Sequence, residues 1–213
     1  MSEIKYGLIS QTDARVLEYT IDLICDEFKD EIIKVTEIGI YSGQTSKGIW
    51  DYVLDNKKRL LNLKGIDNKK DGEEIIYFPI NPYTELIIGN SNEVYNQLPD
   101  EGQHLIFIDG CHCFAHVVSD FFCYAPKVKK GAYLAFHDTG KHIAKFKDFQ
   151  HGDKENPDAY ISVRKALEKI GLFELHEYPM MKDWIGNFGF ELIFDEADET
   201  NPAGGICVFK KLY

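Results

Sequence analysis

The sequence lacks any long apolar run, and this excludes one large class of proteins. Nowhere in the 213 residues is there a stretch near the ~20 apolar residues that a membrane helix needs. The start, MSEIKYGLISQTD, has no basic segment followed by an apolar one, so we expect no secretory signal. Five cysteines are an odd number without framework spacing, which is typical of a reducing compartment. We therefore expect a cytoplasmic protein with no membrane partner.

Basic charge is also scarce. The chain has 24 Lys and Arg against 35 Asp and Glu, a net charge of −11. A field of this sign repels phosphate backbones, so we expect no nucleic-acid partner. Two phosphate-binding motifs are missing as well: GxGxxG, which argues against NAD or FAD, and GxxxxGK[ST]. With 44% apolar residues, the composition is that of a folded protein, and the length fits one domain over residues 1–213.

Short apolar runs alternate with amphipathic stretches, which predicts strands alternating with helices. Seven strands are predicted over 35–40, 61–67, 85–89, 104–109, 131–138, 173–179 and 205–212. Helices are predicted over 13–29, after a cap at Thr45 or Ser46, after a cap at Ser91, over 114–124 and over 161–170. The alternation implies parallel pairing, while the last two strands lack a clear helix between them. The predicted fold is α/β, a Rossmann-like doubly wound sheet, mostly parallel, with an antiparallel last strand.

Three segments are expected around this sheet: an N-terminal helical extension (1–32), a lid (139–158) and a variable insertion (180–204). The lid is too polar for a core, and His142 and His151 within it are candidates for the substrate site. The insertion carries Met180, Met181 and Trp184, which leaves a homo-oligomer contact open.

Residues suited to a ligand follow the first three strands, where doubly wound sheets bind ligands. Gly39 and Gly43 bracket a turn into a helix, whose first N–H groups can meet a carboxylate or phosphate. Asp67 ends the second strand, where a carboxylate can accept hydrogen bonds from both hydroxyls of a ribose. Ser91, in the turn that it forms with Gly89 and Asn90, would then lie near an adenine.

The fourth and fifth strands end in acidic and imidazole side chains. Asp109-Gly-Cys-His112 follows one strand, and His137-Asp138-Thr139 ends the next. Neighbouring strand ends would bring two carboxylates and two imidazoles together. Carboxylates of this kind are ligands for Mg²⁺ or Mn²⁺, so a divalent cation is predicted at Asp109 and Asp138.

The neighbouring cysteines suggest a different metal. Cys111, His112, Cys113 and His116 could bind zinc, but all four lie within a turn and a half of chain. Closed structural zinc sites usually recruit ligands from separated segments. We therefore expect a half-buried helix start here, with zinc as the alternative.

The segments EIGIYSGQTS, GID, IFIDGCH and HDT together resemble the class I S-adenosylmethionine-dependent methyltransferases. The D-G-x-H element with the later HDT is similar, more narrowly, to the family that groups macrocin-type sugar O-methyltransferases with cephalosporin-hydroxylase-like proteins. The likeness covers roughly residues 33–178. It implies S-adenosyl-L-methionine as cofactor and a small-molecule acceptor, a sugar or natural-product-like hydroxyl.

The resemblance also implies roles for individual residues. The implied cofactor-binding residues are Glu37, Gly39, Tyr41, Ser42, Gly43, Thr45, Ser46, Asp67, Asn68, Asn90, Ser91 and Asp109. The implied metal ligands are Asp109, His137 and Asp138, although the family usually has an acid where this chain has His137. His112 matches the general base, and we expect its imidazole to work near its ordinary pKa of about 6.5.

The expected activity is thus O-methylation of a small-molecule hydroxyl. A rival hypothesis is a non-catalytic scaffold or regulatory subunit that binds S-adenosylmethionine or a nucleoside. The histidine at position 137 and the cysteines that flank His112 keep this rival open. Turnover to S-adenosylhomocysteine would separate the two.

Overall fold

The computed structural model describes residues 6–69, 75–141, 163–173, 189–196 and 204–213. The strands in these ranges are β1 (Ile33–Ile38), β2 (Leu61–Asp67), β3 (Thr84–Ile88), β4 (Gln103–Ile108), β5 (Val128–His137), β6 (Phe190–Glu196) and β7 (Ile206–Lys211). The α-helices are α1 (Gln11–Glu27), α2 (Gln44–Asp51), α3 (Ser91–Val94), α4 (Phe114–Tyr124) and α5 (Val163–Ile170).

The strands form one sheet in the order β3-β2-β1-β4-β5-β7-β6. The first five strands pair in parallel, and β7 runs antiparallel to both β5 and β6. Strand order reverses between β1 and β4, so a crevice opens at the carboxyl ends of these two strands. The predicted doubly wound sheet with an antiparallel last strand is confirmed.

The central strands owe their position to apolar side chains on both faces. Every residue of β4 is buried, the pattern of a strand covered by helices on both sides. Helix α1 presents Leu17, Ile21 and Ile24 to the core, and none of the three is exposed. Each such side chain stabilises the fold by roughly 1.5–3 kcal/mol when it is buried. The crevice is therefore built on a well-packed frame.

The sixth strand lies elsewhere than predicted. It runs over Phe190–Glu196, within the predicted variable insertion, and pairs antiparallel with β7. We placed it over 173–179, of which only residue 173 is described, as part of a turn after α5. Both segments begin with the same Phe-Glu-Leu, and a short alternating pattern alone does not say which of them joins the sheet.

Two predicted helix caps are also wrong. Helix α2 begins after Gly43, whose φ of 85° places it in the left-handed region, and no side chain caps it. Neither Thr45 nor Ser46 therefore acts as the cap. Asn90, rather than Ser91, caps α3, because the Asn90 side chain accepts a hydrogen bond from the Asn92 N–H at 3.2 Å.

Several predictions fall largely outside the described residues. The lid is described only through residue 141, and the insertion only over 189–196 and at 204. The side chains of His142, His151, Met180, Met181 and Trp184 all lie outside. The reading of 1–213 as one domain stays a prediction. Among the described helices, none has the length and apolar character to cross a membrane.

Candidate active site

The turn from β1 to α2, residues 39–43, forms a loop at the crevice, called here the cofactor loop. Gly39 has a φ of 84°, and a Cβ added there would lie 2.2 Å from the carbonyl oxygen of Asp109. A Cβ at Gly43 would lie 2.4 Å from the backbone nitrogen of Phe78. Sequence reasoning assigned these glycines to ligand approach. The structure shows that the chain's own backbone already requires glycine at both positions.

Asp67 holds the cofactor loop against the end of β2. Its Oδ2 accepts hydrogen bonds from the backbone N–H groups of Ile40, at 2.8 Å, and Tyr41, at 2.9 Å. Tyr41 itself has a φ of 52° and is exposed, and the neighbouring Asn68 is exposed too. The Asp67 Oδ1 accepts no hydrogen bond from the described residues. This oxygen is therefore placed to receive a hydroxyl at the loop.

Glu37 lies beneath the cofactor loop and is buried. The Ser46 hydroxyl donates a hydrogen bond to its carboxyl group. Burial raises the pKa of Glu37 to about 8, with the nearby carboxylates of Asp109 and Asp67 adding to the rise and the Ser46 hydrogen bond opposing it. Glu37 is therefore largely protonated at neutral pH and supports the loop from inside.

Thr45 and Ser46 do not offer their hydroxyls to the crevice. The Thr45 hydroxyl donates to the carbonyl oxygen of Tyr6 at 3.0 Å, and Ser46 is fully buried against Glu37. Ser42 has a backbone role, since its carbonyl oxygen accepts from the Tyr77 N–H at 2.9 Å. Of the predicted cofactor residues, these three serve the loop's own structure.

The turn after β3 is tied to helix α4. The Ser91 hydroxyl donates to Asp120 at 2.7 Å, and the Tyr124 hydroxyl donates to the carbonyl oxygen of Ser91 at 2.9 Å. Burial raises the pKa of Asp120 to about 6, although the Ser91 hydrogen bond opposes the rise. The Asn90 side chain thus caps α3, and the Ser91 side chain contacts α4.

Asp109, His112, His137 and Asp138 meet where β4 and β5 end, and together they are called here the charge cluster. His112 Nε2 lies 2.7 Å from Asp138 Oδ2 and 3.7 Å from Asp109 Oδ1. His137 Nδ1 lies 3.1 Å from Asp109 Oδ1 and 3.4 Å from Asp138 Oδ1. Asp138 has a φ of 56°, an unusual conformation for a residue with a Cβ.

Opposite charges pair inside the cluster. Burial alone would lower the pKa of each imidazole, but Asp109 and Asp138 outweigh it, raising the pKa of His112 to about 10 and that of His137 well above its usual value. Burial likewise opposes ionisation of the two acids, yet the imidazoles lower the pKa of both. The expectation that His112 keeps an ordinary pKa is therefore wrong for this arrangement.

Sequence reasoning missed Asp13, which joins the cluster from helix α1. Its Oδ2 lies 3.3 Å from His137 Nε2, and the residue is only 2% exposed. The same oxygen accepts from the Ser10 hydroxyl at 2.7 Å, and the Asp13 N–H donates to Ser10 at 3.1 Å. This is a capping box, which the Ser-x-x-Asp pattern predicts from the sequence. Its contact with a histidine 124 positions away has no local signal.

The cluster has the donors for a divalent cation. Asp109, His137 and Asp138 each offer a ligand atom, and these atoms lie within 4.8 Å of one another. Asp13 on the far ring nitrogen is the type of partner that orients a metal-binding histidine. Two carboxylates with one imidazole suit Mn²⁺ or a later first-row ion better than Mg²⁺, which prefers oxygen ligands alone. The three residues thus fit a cation, with an ion other than Mg²⁺ favoured.

The cysteines beside His112 lie at a half-buried helix start, as predicted, because Cys113 is the N-cap of α4. Cys111, Cys113 and His116, called here the cysteine cluster, bring their sulfur and Nδ1 atoms together, while His112 turns to the charge cluster. A hydrogen bond with Cys111 lowers the pKa of the Cys113 thiol to about 5, helped by His116 and opposed by burial.

Comparisons with known proteins agree with this architecture. Residues 36–139 match the Methyltransf_24 family, described as a methyltransferase domain. An uncharacterized protein of Acanthamoeba polyphaga mimivirus, R132, is 28% identical over 137 residues, which cover 56% of this chain and 58% of the relative. The chain thus spans a little over half the length of that curated relative.

Solved structures of O-methyltransferases share the fold. One from Bacillus cereus, in complex with S-adenosylhomocysteine, has a TM-score of 0.61 at 13% identity and covers 98% of this chain and 84% of its own. TomG from Streptomyces achromogenes, bound to S-adenosylmethionine, has a TM-score of 0.59 at 11% identity, with coverage of 96% and 82%. MycE, in complex with Mg, S-adenosylhomocysteine and mycinamycin VI, has a TM-score of 0.53 at 14% identity, and the match covers 90% of this chain and 48% of MycE. The chain therefore shares the fold of these O-methyltransferases, and its residues 36–139 match a methyltransferase-domain model.

Proposed function

We propose that the protein transfers the methyl group of S-adenosylmethionine to a hydroxyl oxygen of a small molecule. One observation carries this proposal. The stretch that matches the methyltransferase domain, residues 36–139, contains both the cofactor loop and the charge cluster, at the carboxyl ends of adjacent strands. A cofactor at the loop would thus lie beside a set of proton-binding groups.

The cofactor is expected at the loop and at Asp67. The Oδ1 of Asp67 would accept from a ribose hydroxyl, while Oδ2 keeps its two backbone donors. Asn68, Asn90 and Ser91 are proposed to lie near the adenine. Glu37, Thr45 and Ser46 would act indirectly, because their described contacts hold the loop and the start of α2 in place.

The acceptor is expected at the charge cluster. A sulfonium makes its methyl carbon electrophilic, and holding an acceptor oxygen in line with that carbon is worth several kcal/mol of barrier. We propose that His112 takes the acceptor's proton. Because Asp109 and Asp138 hold the ring protonated, His112 becomes a base only when other groups engage these carboxylates. A cation at Asp109, His137 and Asp138 would orient the acceptor oxygen and lower its pKa.

The finer assignments rest on this proposed function. Natural-product acceptors are supported by TomG, which is involved in tomaymycin synthesis, and by MycE, which is part of the mycinamycin pathway. Membership of the macrocin-type group, a cytoplasmic location and a homo-oligomeric state stay predictions.

The direct test is formation of S-adenosylhomocysteine from S-adenosylmethionine with a panel of sugar and phenolic hydroxyl acceptors. His112→Ala should lower turnover by ~10²-fold or more, the usual size of a general-base contribution, and leave cofactor affinity within about twofold. Full activity in this variant would remove His112 from the mechanism. Cofactor binding without turnover on any acceptor would favour the scaffold alternative.

A further inference from the structure

The side chains of the cysteine cluster lie in mutual contact. The sulfur atoms of Cys111 and Cys113 lie 3.2 Å apart, and His116 Nδ1 lies 3.0 Å from each of them. Each ligand-type atom therefore contacts the other two. All three residues are half-buried, so an ion can reach them from solvent.

Local geometry explains why these three positions meet. Cys113 is the N-cap of α4 and His116 is the third residue of the helix. Side chains at the N-cap and at the third helical position lie on the same side of a helix start, as they do in a capping box. Cys111 reaches the same side from the loop after β4. The ligands thus come from the loop after a strand and from the helix start that follows it.

The chemistry of the three donors differs from that of the charge cluster next to them. Two thiolates and one imidazole select a soft or borderline cation, of which zinc is the common one. A tetrahedral zinc with bonds of about 2.3 Å to sulfur and 2.0–2.1 Å to nitrogen sets its ligand atoms about 3.5–3.8 Å apart. The observed triangle is smaller by about half an ångström, which small side-chain rotations would supply.

The two clusters remain separate although they interleave in sequence. His112 lies between the two cysteines in the chain, yet its Nε2 contacts Asp138 at 2.7 Å. The two cysteines therefore belong to one cluster, and the histidine between them belongs to the other. An ion at the cysteines would bind the loop that carries His112 to the first turn of α4.

We propose that Cys111, Cys113 and His116 form a second metal site, which binds one zinc-type cation and leaves a fourth position open for water or a small ligand. Three protein ligands with an open position are the pattern of zinc sites that take an exogenous ligand. This site is independent of whether the protein transfers methyl groups.

The test uses Co²⁺ as a spectroscopic substitute for zinc, added to the reduced, metal-free full-length protein. We expect a thiolate-to-cobalt charge-transfer band whose final intensity corresponds to one cobalt at the cysteines and which disappears when zinc is added. Cys111→Ser and Cys113→Ser should each weaken binding by more than about 100-fold, beyond the effect of losing an outer-sphere partner. Cys123→Ser, a half-buried cysteine on the same helix, should leave the band unchanged. Asp138→Asn should also leave it unchanged, because its carboxylate belongs to the charge cluster.

A second measurement needs no variant. Zinc should protect Cys111 and Cys113 from alkylation, read by mass spectrometry, and leave the alkylation rate of Cys123 the same. The proposal is overturned if no thiolate band forms, if the band survives both cysteine variants, or if zinc protects all three cysteines equally.

Discussion

The cofactor loop and the charge cluster lie side by side at the carboxyl ends of the strands, yet they are built differently. The loop is held by backbone groups: two N–H groups bind one oxygen of Asp67, and the backbones of Asp109 and Phe78 leave no room for a Cβ at the two glycines. The cluster is held by side-chain charges, with two imidazoles between carboxylates. The shape of the loop is therefore fixed by the backbone, while the cluster is held by groups that can exchange protons.

Gly39 is where the two regions touch, and changing it should disrupt both. In Gly39→Ala, the new Cβ meets the Asp109 carbonyl, and the φ of 84° adds strain. We expect a loss of more than about 3 kcal/mol in the free energy of unfolding, measured by urea denaturation.

Gly110→Ala is the matched control for that change. A Cβ at Gly110 would lie 3.7 Å from Ile38 Cγ2, an ordinary contact. The free energy of unfolding of this variant should be lower than that of the wild type by less than about 1 kcal/mol. Equal losses in the two variants would contradict the close approach of β1 to β4.

Asp13 and Ser10 sharpen the account of the charge cluster. Ser10→Ala removes the helix cap and one hydrogen bond to Asp13 but keeps the carboxylate beside His137, and it should cost about 1 kcal/mol in the free energy of unfolding. Asp13→Ala removes the cap partner and also the carboxylate beside His137, so it should cost about 1–3 kcal/mol more. Urea denaturation of both variants measures the difference. If they are equally stable, Asp13 serves the helix only and has no part in the cluster.

Glu37 gives the cofactor loop a pH dependence of its own. The folded protein keeps this proton up to about pH 8, whereas the unfolded acid releases it near 4.5. The folded state thus binds more protons in between, and its contribution to stability falls as pH rises through this window. The free energy of unfolding of the wild type, measured relative to that of Glu37→Gln, should fall by up to about 1.4 kcal/mol per pH unit from pH 5 to 8. If the free energies of unfolding of the two proteins depend on pH in the same way, Glu37 is ionised in the folded protein.

Local pattern predicted most of the frame. Strand β2 and helix α4 begin and end at the predicted residues, because each is a continuous signal with clear boundaries. The location of β6 was missed because it depends on which of two similar segments pairs with β7. The cap of α2 was missed because a left-handed glycine, Gly43, replaces the side-chain cap.

Within the candidate site, proximity was predictable and protonation was not. Asp109 and Asp138 follow the carboxyl ends of β4 and β5, and parallel pairing of these two strands brings the residues close together. The raised pKa of His112 depends on distances of a few ångströms to both acids, which no sequence pattern encodes. Asp13 enters from a helix far away in sequence, and only the folded packing of α1 on the sheet brings it to His137.

The central claim is that the loop binds the cofactor and the cluster serves the acceptor. Calorimetric titration with S-adenosylhomocysteine, in Mg²⁺ and then in EDTA, tests it most directly. Wild type and His112→Ala should bind with affinities within about twofold, and Asp67→Ala should lose ~100-fold or more, since charge-assisted hydrogen bonds contribute about 1.5–3 kcal/mol each. Asp30→Ala, the same change at an exposed turn before β1, should bind as the wild type does. No binding by the wild type in either buffer, or an equal loss in His112→Ala and Asp67→Ala, would contradict the account.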